Sequence, residues 1–476
     1  MTAKEESRGK KLLKELALPR QSAWERLAGD TRAKVFAFAE GYKNFISRAK
    51  TEREVVRLAL ESVRGRGFVS LADLPAGRGL NPGTRFYLEW RGKVLLIGIT
   101  GTTDLVEGIR LVGAHVDAPR LDLKPMPLYE QAGLAMFKTH YYGGIKKYQW
   151  TALPLALHGV IMLRGGRRVE VVIGEDGQDP VFTVSDLLPH LAKEQMKKKM
   201  EEALSGDDLN LVVGSIPYPD EDDMKDRIRL AILQLLNERY GLVEEDLIAS
   251  ELELVPAGPA RDLGFDCSLV GGYGQDDRVC GYTALQAILD LENPRHTAIV
   301  LLVDKEEIGS TGNTGAQSRF LEYALTEMAA RTNRTGFFNV SRIMAASQAI
   351  SADVTAGVDP TYENVFDLHN ASLLGHGVVL NKYSGSRGKY DANDASAEFI
   401  GQLRDIFNQN GVIWQSGEMG KVDAGGGGTI AKFLAYFGLD AADCGPALLS
   451  MHAPLEIASK VDIFMAARAY KAFLAS

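Results

Sequence analysis

The chain has 476 residues, 45% apolar and 24% charged, with a formal net charge of −8. That length exceeds one ordinary hydrophobic core and predicts two or three domains of a soluble globular protein. The negative balance argues against a nucleic-acid partner, and no apolar run reaches the roughly 18 residues of a membrane span.

In chain order, Met1-Thr2-Ala3-Lys4-Glu5-Glu6 is charged and leads into an amphipathic helical pattern, unlike the apolar stretch of a signal peptide. Helical periodicity continues through Ala23 to Leu27, Val35 to Ile46 and Thr51 to Val63. Strand-like runs follow at Arg85 to Leu88, Val94 to Ile99 and Ile109 to Gly113. Residues 121–262 change character, with short strands at Val160 to Leu163 and Val169 to Ile173 and with charged runs. Lys197-Lys198-Lys199 and Asp220-Glu221-Asp222-Asp223 read as solvated faces. The longest apolar run, Ala152 to Leu163, holds Pro154, His158 and Gly159 and falls short of a membrane span.

From about residue 265 helices and strands alternate. The expected helices are Tyr282 to Leu291, Ser318 to Arg331, Ser396 to Asn408 and Ile457 to Leu474. The expected strands are Ala298 to Val303, Gln348 to Val354 and Val412 to Gln415. The pattern predicts a discontinuous α/β domain with a mixed sheet covered on both faces, residues 1–120 and 263–476. Residues 121–262 form a smaller inserted domain in this reading. Cys267, Cys280 and Cys444 are odd in number and far apart, with no Cys-x-x-Cys pair. A disulfide framework and a thiolate metal site are therefore not expected, a reducing cytoplasm is, and any metal must be held by His and carboxylates.

Several residues at strand ends carry chemistry. The β-branched run Thr297 to Asp304 opens into Lys305-Glu306-Glu307-Ile308-Gly309. Two adjacent carboxylates there suit a metal-activated water, one holding the metal and the other acting as general base. In His115-Val116-Asp117 the His and Asp point the same way in an extended segment, so the Asp can orient a metal-bound imidazole. Asp276-Asp277 precedes a helix and could cap it or supply a carboxylate bridging two metals. Ser351-Ala352-Asp353 ends another apolar strand, and Ser450-Met451-His452 follows a turn at Cys444-Gly445-Pro446. Each has a plain structural explanation when taken alone. Together they put two His and several carboxylates at strand ends of one α/β domain, a ligand set suited to paired zinc, cobalt or manganese.

With those motifs in this order, the chain resembles the aspartyl aminopeptidase and vacuolar aminopeptidase I family of dinuclear zinc aminopeptidases, and looks most like its bacterial members. The resemblance implies an α/β/α catalytic domain with an inserted β-rich dimerisation domain. It implies two divalent ions per subunit, zinc first with cobalt or manganese as alternatives. His115 and Asp353 would hold one ion, Glu307 and His452 the other, and Asp276 would bridge them, with Asp277 the second choice for the bridge. Glu306 would be the general base and Asp117 the residue orienting His115. His190, in Pro180 to His190, would enter the active site of a neighbouring subunit as an oxyanion donor. The substrates implied are peptides with a free N-terminus, with no membrane or nucleic-acid partner. The assembly implied is a homo-oligomer of dimers, as large as a tetrahedral dodecamer.

Two positions depart from the family pattern. The Lys that faces the substrate side chain in aspartyl-specific members matches Val379 to Ser384 only with a shift, which makes Lys382 a weak counterpart. The segment after Asp353, Val354 to Asp359, lacks the His-rich character of some relatives. Asp423 to Thr429 resembles the family's Gly-rich loop near the substrate, with Gly426 and Gly427 the expected contacts; without a following Gly-Lys-Ser/Thr it is not a phosphate-binding loop. A dinuclear N-acyl deacylase and a non-catalytic assembly protein of the same fold are the alternative functions.

Overall fold

A computed structural model describes residues 7–18, 20–74, 79–219, 224–332 and 337–476. The acidic run at 220–223 and the first six residues lie outside the described residues.

The chain builds a mixed α/β structure around a nine-stranded sheet. Its centre is four adjacent parallel strands, in the order Thr297–Val303, Ile109–His115, Gln348–Ser351 and Asp440–Gly445. Antiparallel partners flank this block: Val94–Ile99 on one side and Val378–Asn381 on the other. Val94–Ile99, Thr297–Val303 and Ile109–His115 are buried at every position, which is why they read as continuous apolar runs and not as alternating ones. Helices cover both faces. One side holds Thr31–Arg48, Glu52–Gly65, Gln275–Leu289, Ala397–Gln409 and Lys460–Ala475. The other holds Phe320–Arg331, Phe337–Ala345 and Ala431–Tyr436.

A second sheet has seven strands, all drawn from between Arg120 and Pro256 and all antiparallel to their neighbours. It packs its own apolar core, with the helix Arg227–Tyr240 laid against it. Its longest hairpin, Arg120–Gln131 with Leu134–Tyr142, and that helix escaped the sequence reading, because polar residues interrupt the periodicity of both. A third sheet, of five short strands, joins Leu269–Gly272 to Glu456–Ser459 and Ala447–Leu449.

Three expectations shift. The final helix starts at Lys460, because Glu456–Ser459 is drawn into the third sheet by pairing with Leu269–Gly272. Cys444-Gly445 closes a central strand where a turn is expected, and the next strand begins at Ala447. Gly445 is tolerated there because its α-carbon lies against the backbone of Asp353, where a Cβ would stand 2.1 Å from the carbonyl oxygen. The segment Gln275–Leu289 starts before the expected Tyr282, but Asp276 and Asp277 have non-helical backbone angles and form a kink ahead of the regular helix.

Candidate metal centre

Three of the four central parallel strands deliver a side chain from their carboxyl ends: His115, Glu307 just beyond Val303, and Asp353 just beyond Ser351. This is where open α/β sheets place their sites. Asp276 arrives from the non-helical kink at the start of Gln275–Leu289, joined to Asp277 by a cis peptide bond. His452 arrives from the connection between two strands of the third sheet.

The side chains fall into two groups. His115, Asp276 and Asp353 have potential ligand atoms within 4.8 Å of one another, and so do Asp276, Glu307 and His452. Asp276 belongs to both: its Oδ1 lies 3.1 Å from His115 Nε2 and its Oδ2 3.2 Å from His452 Nε2. Glu307 Oε2 lies 3.4 Å from His452 Nε2. Asp277 is fully buried and stands in neither group, which makes Asp276 the carboxylate placed between the two histidines.

The ring nitrogens are assigned by their other contacts. His452 Nδ1 is 2.8 Å from the Gly144 carbonyl, and a carbonyl only accepts, so Nδ1 carries the proton. His115 Nδ1 likewise donates to Asp117, 3.2 Å from its carbonyl and 3.3 Å from Oδ1. Both Nε2 atoms, the usual metal-binding positions, therefore turn toward the carboxylates.

Asp117 does more than face His115. The chain reverses at Lys305, in the left-handed region at φ 68°, and enters a single 3₁₀ turn at Glu306–Ile308. That reversal aims two consecutive amides at one carboxylate: Glu306 N donates to Asp117 Oδ1 at 3.0 Å and Glu307 N to Oδ2 at 3.1 Å. Tyr142 Oη adds a third donor at 2.8 Å. Burial works to raise the Asp117 pKa, but the His115 and Tyr142 hydrogen bonds outweigh it and keep the group ionised.

The electrostatics show a surplus of buried negative charge. Burial lifts Glu307 and Asp353 well above the carboxylate range, reinforced by Asp276 for the first and Asp277 for the second. Burial also lifts Glu306 to about 7, with His115 opposing and Asp117 and Asp276 adding to the rise. Burial opposes protonation of His452, yet Asp276 and Glu307 outweigh it and set its pKa at about 10. Glu307 Oε1 is buried with no hydrogen-bond partner among the described residues. A desolvated carboxylate oxygen without a donor is costly, and a cation between the two groups supplies what it lacks. The donor set of imidazole and carboxylate fits zinc.

Glu456 is a contributor that the sequence reading missed. Its buried carboxylate accepts His452 N at 2.8 Å and Asp276 N at 3.1 Å, tying together the backbones of two candidate ligands. Its only signal in the chain is a Glu four residues beyond a candidate His. His190 lies on an exposed turn and makes no hydrogen bond among the described residues. Lys382 is half exposed and pairs with Asp394 at 2.9 Å. Gly427 accepts a backbone hydrogen bond from Gly385 at 2.7 Å, and Gly426 sits so close to Gly385 that a Cβ would meet its carbonyl oxygen.

Residues 45–474 match the family model of the aminopeptidase I zinc metalloproteases, M18. The chain belongs to this family. The probable M18 family aminopeptidase 1 of Clostridium acetobutylicum is 48% identical over 95% of this chain and 98% of its own length. The crystal structure of an M18 aminopeptidase from Thermotoga maritima superposes with a TM-score of 0.91 at 46% identity, covering 96% of this chain and 99% of that one. The Saccharomyces cerevisiae mApe1 dodecamer shares the fold, with a TM-score of 0.73 at 22% identity over 92% of this chain and 96% of that one. The protein is thus a zinc metallo-aminopeptidase of the M18 family, with the α/β architecture of its relatives.

Proposed function

We propose that this aminopeptidase works through two metal ions held by the two residue groups that share Asp276, with Glu306 as general base. The observation that carries this reading is the position of Asp276 between His115 and His452. His115 and Asp353 would hold one ion, Glu307 and His452 the other, and Asp276 would serve both. The three carboxylates return −3 against +4 and leave a small positive charge. When bound, such a pair of ions lowers the pKa of a shared water toward neutrality and polarises the scissile carbonyl. Glu306 accepts the water's proton on its carboxylate and returns it to the leaving amine. Asp117 holds Glu306 in place through the Glu306 amide and orients His115 through Nδ1.

The substrate side chain would lie near Lys382, Gly426 and Gly427, where the Gly427 carbonyl accepts from Gly385 N at 2.7 Å. Residues 121–262 act as a dimerisation domain in this reading. Leu187, Leu188, Leu191 and Met196 around His190 are 46%, 49%, 68% and 75% exposed, apolar surface that a second subunit would cover. His190 would then serve the neighbouring site, in dimers that assemble further into a dodecamer. Three unpaired cysteines agree with a cytoplasmic location.

The test is hydrolysis of aminoacyl-p-nitroanilides (Asp, Glu, Lys, Arg, Leu, Ala) by metal-stripped protein, with and without zinc, cobalt or manganese. Metal-restored release from free-amine substrates with two ions bound per chain is expected. Equal release from N-acetylated substrates would turn the reading to a deacylase. Full activity with one ion would overturn the paired-metal mechanism.

A further inference from the structure

The strand Leu134–Tyr142 belongs to the seven-stranded sheet, yet its end runs under the metal centre. Three consecutive residues touch the site there. Tyr142 Oη donates to Asp117 Oδ2 at 2.8 Å, and Asp117 in turn receives His115 Nδ1. Gly143, at φ 75°, lies against Glu307: a Cβ there would stand 3.3 Å from Glu307 Cβ and 3.3 Å from Pro119 Cγ. The Gly144 carbonyl accepts from His452 Nδ1 at 2.8 Å. One short segment therefore reaches both imidazoles, the first through Asp117 and the second directly.

The segment is itself firmly held. The Arg120 guanidinium stacks on the Tyr142 ring at 3.9 Å. Arg120 is anchored by Asp122 at 2.8 Å and Glu253 at 3.2 Å, and reaches toward Glu52 at 3.7 Å. Tyr142 and Arg120 are buried, and the Tyr142 hydroxyl donates to the buried Asp117 carboxylate.

We propose that Tyr142-Gly143-Gly144 is a positioning element through which the seven-stranded sheet fixes the tautomer and orientation of both metal-binding histidines. Tyr142 acts through Asp117, which faces the His115 imidazole and also holds the Glu307 amide, and Gly143 with Gly144 acts on the Glu307–His452 side. Gly143 is at a left-handed φ and a Cβ there would press on Glu307, whereas at Gly144 a Cβ would only touch His452, and its part is played by the backbone carbonyl. The seven-stranded sheet thereby contributes directly to the chemistry. This inference rests on the paired-metal reading above.

Tyr142→Phe keeps the ring on Arg120 and removes only the donor, and Gly143→Ala presses on Glu307. The readouts are stepwise zinc affinity by competition with a chromophoric chelator, the visible spectrum of the cobalt-loaded protein, and kcat and KM. Single-ligand variants on each side identify the two binding steps. Partners that orient metal ligands are worth about 10–100-fold in affinity or activity. Tyr142→Phe should weaken the His115-side ion by that factor and more than the other ion, shift the cobalt bands and lower kcat with KM little changed. Gly143→Ala should weaken the His452-side ion selectively. Wild-type affinities and spectra in both variants, or equal loss of both ions in each, would overturn the proposal while two ions in wild type leave the paired-metal reading intact. A wild-type protein that binds one ion would overturn both.

Discussion

At the scale of single residues, two adjacent glutamates are separated in role by their surroundings. Glu307 takes part in a ligand group with Asp276 and His452, whereas Glu306 stands in neither group and has its pKa raised by burial to about 7. Glu306→Gln is therefore expected to retain its metal and lose about 10²–10⁴-fold in kcat, the usual contribution of a general acid–base group. Near-normal turnover in that variant would remove Glu306 from the mechanism. Glu307→Ala and His452→Ala are expected to retain one ion per chain, counted by elemental analysis; two ions in either variant would refute the ligand set. Both expectations start from residue types visible in the chain. The choice between Asp276 and Asp277 is different, since the two are neighbours of identical chemistry. The resemblance favoured Asp276, and its contacts with both histidines agree with that preference.

At the scale of elements, local sequence accounts for most of what was legible. The helix Glu52–Gly65 begins with a capping box: Thr51 accepts from Glu54 N, and the Glu54 side chain accepts from Thr51 N. Glu54 also holds Lys50 N and His158, so this cap fixes more than its own helix. Thr51→Ala should cost about 0.5–2 kcal/mol, the usual range for a lost cap. A lowered Tm with unchanged metal content is the expected result; no change would show that burial of the helix alone sets its start. Three of the four central strands were legible from apolar runs, whereas Asp440–Gly445, which has no β-branched residue, was not. The final helix was placed three residues too early because Glu456–Ser459 is apolar enough to extend the helical pattern. The competing strand pairing with Leu269–Gly272 lies about 190 residues away in the chain.

At the scale of the whole molecule, buried charge joins the nine-stranded and seven-stranded sheets. His158, on a strand of the second sheet, donates to Glu54 at 2.9 Å and to Glu175 at 3.1 Å, and Lys50 binds Glu175 at 2.5 Å. Burial works to lower the His158 pKa, but Glu175 and Glu54 outweigh it and raise it. A raised pKa means that the charged imidazole stabilises the fold fully below its unfolded value of about 6.5, and that this contribution fades as pH rises through the folded value. Glu54 and Glu175 have lowered pKa values, so their part is present above about 4.3 and lost as pH falls. Wild type should therefore exceed His158→Gln in Tm by more at pH 6 than at pH 9. A gap that is constant, or wider at pH 9, would mean that His158 is not charged in the folded protein.

The sequence by itself determined the mixed α/β class, the buried strands and the residue types able to bind metal. These depend on periodicity and on chemistry carried within a few residues. The tertiary structure decided what lies beside what: His115 with Asp276, Glu456 beneath both His452 and Asp276, and Tyr142 and Gly144 against the two histidines. Tyr142 and Gly144 looked like ordinary strand-end residues because nothing in their own neighbourhood is catalytic. The order of the nine strands was equally hidden, since Thr297–Val303 inserts between Val94–Ile99 and Ile109–His115. Pairings between segments about 190 to 240 residues apart are set by the burial of whole faces, a property that no single window of sequence contains.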